Sequence, residues 1–425
     1  MSTLAAPFIS CVERPLGATE KFFYLADRAY PNHFTMVGEI AGPTTVAQWQ
    51  DSLNRVGQHS TLIWSDIEQD DDGVPKFRPI TPSSIPLKVV DHDSSAWTAE
   101  VAAQISLRFK NGRGPLLRAT LLHGAARSIV VLCVHHSIGD ALSLSFLLGD
   151  LLRVMAGGAP LLSRETAAME QLVERGSAAA PPPQPAVVEP AAQVLAPQHV
   201  QTDISDLDNL TPYVEALCLG SELTHSLRER ARTEGATVQT TLASAIATVL
   251  RRLTPALEEL PLRVLTPVDL RRRLLDHSDH LAVCVGAAIL VDNAPQDASW
   301  WAKARSLGDG LTGIDTQQSA MGLLGAMEGL MARTTTPAEA AALIAGPFAA
   351  EFMVSNLGVV DLPREYGPLK LEALWGPGLA VSFPGVPVIG VSTFGGRLHL
   401  LHTNFTRRMG LLEAVRDELI AGLKS

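Results

Sequence analysis

A continuous apolar segment that ends in two histidines constrains the fold of this chain more than any other feature. Residues 128–134 read SIVVLCV, a run rich in β-branched side chains that is typical of a strand buried on both faces. The sequence HHSIGD follows at once as residues 135–140. Residues 141–158 then place apolar side chains at helical spacing and end in two glycines, which predicts an amphipathic helix. The local order is therefore strand, short loop and helix, with two imidazoles and a carboxylate in the loop.

One break in composition divides the rest of the chain. Residues 178–198 are rich in Ala and Pro and show neither a helical nor a strand period, which predicts a linker or a long surface crossover. A chain of 425 residues is too long for one ordinary core if a domain holds roughly 150 residues. The expected organisation is an N-terminal lobe of residues 1–177, the linker, and a C-terminal lobe of residues 199–425.

The second lobe is expected to mix helices and strands, as the first does, without a regular βαβ repeat. Two α/β layers that face each other across a cleft would suit this content. Helices are predicted at 222–253, with a break at Gly235, and at 321–333; strands are predicted at 261–270, 283–292, 352–363, 388–396 and 397–405.

Charge and cysteine content exclude several classes of function. The formal net charge of −10 argues against a nucleic-acid backbone or an anionic membrane as the main partner. The four cysteines are scattered, so neither a disulfide framework nor a cysteine zinc site is indicated. The N-terminus has no basic region before its short apolar patch, and no apolar run approaches the ~18 residues of a membrane helix. We therefore expect a cytoplasmic protein without stable membrane insertion.

The paired histidines allow two kinds of chemistry. Two His and one carboxylate can bind Fe(II) or Zn(II), but side chains of neighbouring strand residues point to opposite faces, so His135 and His136 would struggle to reach one ion. No metal site is therefore predicted. An imidazole at a strand end that faces a cleft is instead suited to take a proton from an alcohol or amine as it attacks a carbonyl.

The same alternation gives each histidine a separate task. One imidazole faces the cleft and the other packs inward as a support, while Asp140 holds the loop. No GxSxG elbow and no Cys–His pair stands out, so the sequence offers a general base but no protein nucleophile. This predicts that the acyl group passes directly between two bound substrates, without an acyl-enzyme. The alternative is that the pair is a satisfied polar cluster with a structural role only.

The loop also carries a resemblance to a known superfamily. HHSIGDA resembles the HHxxxDG motif of the chloramphenicol acetyltransferase-like superfamily. That superfamily includes the condensation domains of nonribosomal peptide synthetases, the plant BAHD acyltransferases and the polyketide-associated acyltransferases. The chain is most similar to the last group, of which phthiocerol/phthiodiolone dimycocerosyl transferase is one example. Further similar segments lie, in the right order, at residues 14–29, 114–122, 235–250, 266–274 and 353–369.

The resemblance implies a fold and a set of roles. The fold would be of the α/β (α+β) class, with two chloramphenicol acetyltransferase-like lobes, each an α/β sandwich, and a tunnel between them. By position, His136 matches the catalytic base, His135 the supporting histidine and Asp140 the structural aspartate. Asn356, in SNLG, would line the cleft and donate to the developing oxyanion, or else form a turn before Gly358.

Some positions depart from the family pattern. Ala141 replaces the usual Gly of the motif, a mild change if the backbone there has a negative φ. Condensation domains carry an RHxxLR segment, and both of its arginines are lost here, as Gln58 and Ile63. If one of them normally pairs with the aspartate, Arg118 and Arg271 are the candidates to replace it. The absence of the two RHxxLR arginines favours ester formation over peptide-bond condensation.

The substrates implied by the resemblance are an acyl thioester and an acceptor. The thioester would be carried by coenzyme A or by the phosphopantetheine arm of a carrier protein, with no bound cofactor. Arg271, Arg272 and Arg273 form the densest basic run and would meet a phosphate or an acidic carrier protein, or else form a solvated helix start. Ser382 and Thr393 would place hydroxyls against a substrate, although Thr in a strand is often structural.

The expected function is that of an O-acyltransferase in polyketide, lipid or other secondary metabolism. Three alternatives remain open. One is a free-standing condensation enzyme that acylates an amine. The second is a non-catalytic homologue that binds a carrier protein or a small molecule. The third is a metal-dependent enzyme.

Overall fold

The computed structural model describes residues 13–91, 97–162, 167–176, 211–274, 281–295, 297–314, 316–380 and 385–425. The predicted linker at 178–198 lies outside these ranges, and so does Ser382. Within them, no helix is both long and apolar enough to cross a membrane.

Helices and strands alternate irregularly along the described residues. The helices are α1 (Ala18–Ala29), α2 (Val46–His59), α3 (Trp97–Ser106), α4 (Ala141–Met155), α5 (Met169–Gly176), α6 (Ser221–Thr233), α7 (Val238–Leu253), α8 (Arg271–Leu274), α9 (Trp300–Asp309), α10 (Gln317–Met331), α11 (Pro337–Ala345) and α12 (Leu411–Lys424), with short 3-10 helices at Thr61–Trp64, Lys110–Gly112 and Pro255–Leu257. The strands are β1 (Arg14–Pro15), β2 (Phe34–Ala41), β3 (Ser65–Gln69), β4 (Pro75–Pro79), β5 (Leu87–Asp91), β6 (Leu117–His123), β7 (Arg127–Val134), β8 (Tyr213–Leu219), β9 (Leu262–Asp269), β10 (Val285–Asp292), β11 (Phe352–Val359), β12 (Glu365–Tyr366), β13 (Leu369–Gly378), β14 (Val388–Phe394) and β15 (Arg397–Asn404).

The sheet of the first lobe has the strand order β12-β13-β2-β7-β6-β5. The strand β7 lies inside this sheet, paired antiparallel with β2 on one side and β6 on the other. Seven of its residues, 128–134, are buried, so the prediction of a strand covered on both faces is confirmed. The strands β12 and β13 come from beyond the linker and extend the sheet through the pairing of β13 with β2. The two lobes are therefore tied together by strand pairing as well as by packing.

The sheet of the second lobe has the strand order β10-β9-β11-β14-β15-β8. The strand β11 is parallel to both β9 and β14, and the outer pairs are antiparallel. Helices α7 and α12 pack on this sheet around a core that includes Leu242, Ile246 and Leu419. A third, smaller sheet joins β1, β4 and β3 in the first lobe.

The elements begin and end close to where the sequence predicts. The helix α4 begins after Asp140, whose side chain accepts a hydrogen bond from the Ser143 backbone N–H, and it ends before Gly157, which adopts φ +87°. The break at Gly235, with φ +70°, separates α6 from α7. Ala141 is the first residue of α4, so its backbone is helical and tolerates a side chain in place of Gly. The mixed α/β fold class is confirmed.

Candidate functional site

The loop between β7 and α4 directs its two histidines to different surroundings. The side chain of His135 is 1% exposed, and its Nε2 lies 3.7 Å from Asp27 Oδ2. Its Nδ1 accepts a hydrogen bond of 3.2 Å from the Ser137 backbone N–H, so the ring proton is on Nε2. His136 instead lines a cavity between the lobes. The side chains of these two adjacent residues thus lie on opposite sides of the loop.

A buried polar network supports the His135 side chain. Asp27 Oδ1 lies 3.1 Å from His33 Nδ1, and His33 Nε2 donates to the Gln104 carbonyl over 3.0 Å. Burial lowers the pKa of His135 to about 4, against the opposing charge of Asp27. Burial would raise the pKa of Asp27, but hydrogen bonds from His33 and from the Asn32 backbone N–H hold that pKa well below the usual range. The network fixes the inner histidine as a neutral support.

The ring of His136 is fixed by two aromatic side chains and one hydrogen bond. It stacks on Phe23 with the centroids 3.6 Å apart and the planes inclined by 4°, and it lies 4.6 Å from the Phe34 ring. Its Nδ1 donates to the Gly139 carbonyl over 3.1 Å, which leaves the lone pair on Nε2. No residue in the described ranges hydrogen-bonds to that Nε2. Burial lowers the pKa of His136 to about 4, so the ring is neutral at pH 7 and able to accept a proton.

Asp140 is held by groups from both lobes and is not free to take a proton. Its Oδ2 lies 2.6 Å from Nη1 of Arg271, whose side chain is 1% exposed, and it also accepts from the Cys284 backbone N–H over 2.9 Å. Its Oδ1 accepts from the Ser143 backbone N–H over 3.1 Å. Burial opposes the charged form, but the charge and hydrogen bond of Arg271 lower the pKa of the Asp140 carboxyl. The arrangement suits a structural role at the start of α4.

Of the two arginines offered as partners of Asp140, only Arg271 makes the pair, and the assignment to Arg118 is corrected. Arg118 lies on β6 beside Cys133 and points toward the end of α3. Its Nε donates to Gln104 Oε1 over 2.6 Å, its Nη2 donates to the Gln104 and Leu107 carbonyls, and its guanidinium lies 4.0 Å from the Phe109 ring centroid. These contacts occupy the Arg118 guanidinium, and Phe109 in turn lies 5.7 Å from the His135 ring, so Arg118 supports the surroundings of His135.

The cavity that His136 faces has a volume of about 650 Å³ and is bounded by both lobes. Its polar groups include His136 and residues of the second-lobe strands. Its apolar lining includes Phe22, Leu311, Ile314, Met327, Ile344 and Phe348. An apolar pocket with a few convergent polar groups is the usual form of a small-molecule site.

Asn356 shows both features that the sequence left open. Its Oδ1 accepts a hydrogen bond of 2.9 Å from the Gly358 backbone N–H, and Gly358 adopts φ +70°, so the turn is present. The same residue lines the cavity, and its Nδ2 has no hydrogen-bond partner among the described residues. The turn therefore orients an amide donor that remains available to a ligand.

The other predicted residues of the second lobe fall in three different places. Arg272 and Arg273 are exposed and line the cavity next to Arg271. Thr393 is only 5% exposed and is not among the described residues that line the cavity, so its assignment to the substrate site is corrected. Its side chain packs inside the second lobe, where its backbone carbonyl accepts from Val360. Ser382 lies outside the described residues.

Several site residues, among them Phe23, Asp27 and His33, were not identified from the sequence. Phe23, Asp27 and His33 reach the paired histidines from α1 and from the segment that precedes β2. Phe23 and Asp27 are four residues apart, so a helical reading of residues 18–29 would have placed them on one face. Nothing in the sequence near His33 indicates its partner. Among the described residues, no group of three or more His, Cys, Asp or Glu side chains is arranged to hold a metal ion.

Comparison with known proteins supports the resemblance found in the sequence. Residues 208–402 match the family model described as phthiocerol/phthiodiolone dimycocerosyl transferase C-terminus. A search of curated proteins by sequence finds no match. Among solved structures, polyketide synthase associated protein 5 from Mycobacterium tuberculosis is 17% identical with a TM-score of 0.65, over 97% of this chain and 98% of that one.

Two further structures have the same fold at similarly low identity. The first condensation domain of the CDA synthetase is 16% identical with a TM-score of 0.68, over 98% of this chain and 97% of that one. A trichothecene 15-O-acetyltransferase from Fusarium sporotrichioides is 14% identical with a TM-score of 0.65, over 97% and 94%. The resemblance read from the sequence is confirmed: the chain has the two-lobed fold shared by condensation domains and related acyltransferases, and its residues 208–402 match the phthiocerol/phthiodiolone dimycocerosyl transferase C-terminal family.

Proposed function

We propose that this protein is an acyltransferase that moves an acyl group from a thioester onto a hydroxyl, with His136 as general base. The single observation that carries the proposal is the state of His136: it lines the cavity, its Nδ1 is engaged with Gly139, and its Nε2 is left without a described partner. A neutral imidazole held in this way can accept a proton from an alcohol. The family match and the fold neighbours support a transferase of the acyltransferase or condensation type.

The transfer would occur in one enzyme complex that holds both substrates. His136 Nε2 takes the hydroxyl proton as the alcohol oxygen forms a bond to the thioester carbonyl carbon. The resulting tetrahedral intermediate carries its negative charge on the former carbonyl oxygen, where the Asn356 Nδ2 would donate a hydrogen bond. As the carbon–sulfur bond breaks, the imidazolium returns its proton to the departing thiolate. The products are an ester and a free thiol.

The neighbouring residues would keep this geometry. Asp140 and Arg271 hold the start of α4 against the second lobe, and the stacked Phe23 holds the imidazole plane. Direct transfer is proposed because no cysteine or serine with an activating base lies beside His136 among the described residues. His135 and the groups behind it would support the loop without touching substrate.

The donor would be an acyl group carried by coenzyme A or by a phosphopantetheinylated carrier protein. Arg272 and Arg273, exposed at the cavity, would attract its phosphate or an acidic carrier surface. The apolar lining of the cavity favours an acyl group with a hydrocarbon chain. No cofactor is needed for this chemistry.

The test is thiol release from a panel of acyl-coenzyme A and acyl-carrier thioesters, each with and without alcohols and amines. Release that requires an alcohol and yields an ester, identified by mass spectrometry, supports the proposal. Release that requires an amine and yields an amide replaces it with the condensation-type reaction. Thermal stabilisation by acyl thioesters without any turnover replaces it with a binding function.

A further inference from the structure

The cavity holds a second carboxylate, Asp269, which shares the Arg271 guanidinium with Asp140 of the HHSIGD loop. Asp269 is the last residue of β9 in the second lobe and lines the cavity together with Asp140 and His136. The two carboxylates differ in their surroundings, since 26% of the Asp269 side chain is exposed but only 8% of the Asp140 side chain. Asp269 is thus the more accessible acid of the cavity.

Within the described ranges, only one oxygen of Asp269 is engaged. Its Oδ1 accepts from the Arg271 backbone N–H over 3.1 Å and lies 3.5 Å from Arg271 Nη1. Its Oδ2 accepts no hydrogen bond from any residue in the described ranges. A carboxylate can accept about four hydrogen bonds, so half of the group's capacity is open toward the cavity.

The free oxygen lies in an environment that disfavours an unpaired charge. Arg271 is already committed to Asp140 at 2.6 Å, so its contact with Asp269 is the longer of the two. Burial raises the pKa of Asp269, while the Arg271 charge lowers it and the Asp140 charge raises it further. A half-satisfied carboxylate at the edge of an apolar cavity gains most from a ligand that brings a hydrogen-bond donor.

We infer that Asp269 Oδ2 accepts a hydrogen bond from the acceptor substrate, through a hydroxyl or ammonium group other than the hydroxyl that reacts. Asp269 would then be a specificity-determining residue that selects acceptors with two donor groups and turns one of them toward His136. This inference rests on the proposed function, because it names the acceptor class of the same site. It assigns no proton transfer to Asp269.

The test compares acceptors of equal length in the wild type and in Asp269→Asn. Asn keeps an Oδ1 for the Arg271 backbone N–H but replaces Oδ2 by a donor. With octanoyl-coenzyme A as donor, kcat/KM is measured for decanol, a vicinal decanediol and an aminodecanol. We expect the wild type to prefer the diol or the amino alcohol over decanol by about tenfold or more, as is usual for a hydrogen bond to a charged group. The variant should lose this preference and react with decanol as the wild type does.

The decanediol and the aminodecanol show which donor group Asp269 selects: a preference for the diol indicates a hydroxyl, and a preference for the amino alcohol indicates an ammonium. Asp361→Asn, at an exposed position of the loop after β11, is the matched control and should retain the preference. Equal preference in wild type and Asp269→Asn, or no preference in the wild type, overturns the inference. A variant that loses activity equally toward all acceptors indicates a structural role through Arg271 and also overturns it.

A binding measurement separates this inference from the proposed function. If no thioester is consumed by the wild type, the proposed function fails, and the same acceptors are then compared by thermal shift without a donor. Stabilisation by the diol or amino alcohol that exceeds that by decanol, and that Asp269→Asn abolishes, supports the role of Asp269 on its own. Equal stabilisation by all acceptors contradicts it.

Discussion

The carboxylate of Asp140 and the guanidinium of Arg271 lie 2.6 Å apart, although 131 positions separate the two residues in the chain. One comes from the loop that carries His136, and the other comes from the start of α8 in the second lobe. The pair is almost fully removed from solvent and is closed by the Cys284 and Ala282 backbone groups. The position of the loop that carries His136 therefore depends on how the two lobes pack against each other.

Removal of one partner of this pair should be costly. Arg271→Gln leaves Asp140 buried without its cation, and breaking a buried pair in this way typically costs about 3–5 kcal/mol. We expect a fall of that size in the free energy of unfolding, measured by urea denaturation. Arg113→Ala is the control, because Arg113 pairs with Asp66 at a similar distance of 2.7 Å but is 58% exposed, and its loss should cost less than about 1 kcal/mol. Equal losses for the two variants would contradict a buried structural pair.

The stacked ring of Phe23 should control both the position and the basicity of His136. Phe23→Leu removes the 3.6 Å stack and admits water to the imidazole, so kcat should fall and the pKa of His136 should move up toward its ordinary value. The measurement is a pH profile of acyl transfer by the variant. Phe394→Leu removes a ring of the same size from the core and is the matched control. It should lower stability without moving the profile, and a shift of equal size in both variants would rule out a specific role for Phe23.

The pH dependence of the wild type follows from the burial of His136. Burial lowers its pKa from the ordinary value of 6.5 to about 4, so the neutral, proton-accepting form is populated above that pH and is lost as the pH falls through it. Acyl transfer should therefore stay nearly constant from pH 7 down to about pH 5 and decline below that. Initial rates at saturating substrate give the profile. A decline centred near 6.5 would mean that the working histidine is well solvated.

Asn356 can be tested without disturbing its turn. Asn356→Asp keeps the Oδ1 that accepts from the Gly358 N–H but removes the Nδ2 donor. Loss of one oxyanion donor in other enzymes lowers kcat by about 10²–10³-fold, and we expect an effect of that order here with an unchanged melting temperature. An unchanged kcat would mean that Asn356 forms the turn but does not donate to the oxyanion.

Local patterns in the sequence predicted the elements that carry the site. The apolar run that ends at Val134 and the helical spacing after Ala141 depend on neighbours along the chain, and the structure has both elements within a few residues of the predicted ends. The tunnel between the two lobes was implied by the resemblance carried by the HHSIGD loop. Such features can be read from sequence because period and motif are local.

Contacts between distant segments could not be read in the same way. The choice between Arg118 and Arg271 as partner of Asp140 depends on which guanidinium crosses between the lobes, and neither local sequence shows this. The links of Asp27 to His33 and His135 depend on how α1 crosses the end of β7. Thr393 was misplaced because a hydroxyl in a strand reveals its face only once the sheet has neighbours.

The central claim is that His136 is the base for direct acyl transfer, and the most direct test is acceptor-dependent thiol release by His136→Ala. A positioned general base usually contributes about 10²–10⁴-fold, so the variant should lose that much of the wild-type rate while it retains its melting temperature and its affinity for the thioester. His225→Ala, which removes an exposed histidine from α6, should leave the rate unchanged. Release by His136→Ala at the wild-type rate would contradict the mechanism, whichever donor and acceptor the protein uses.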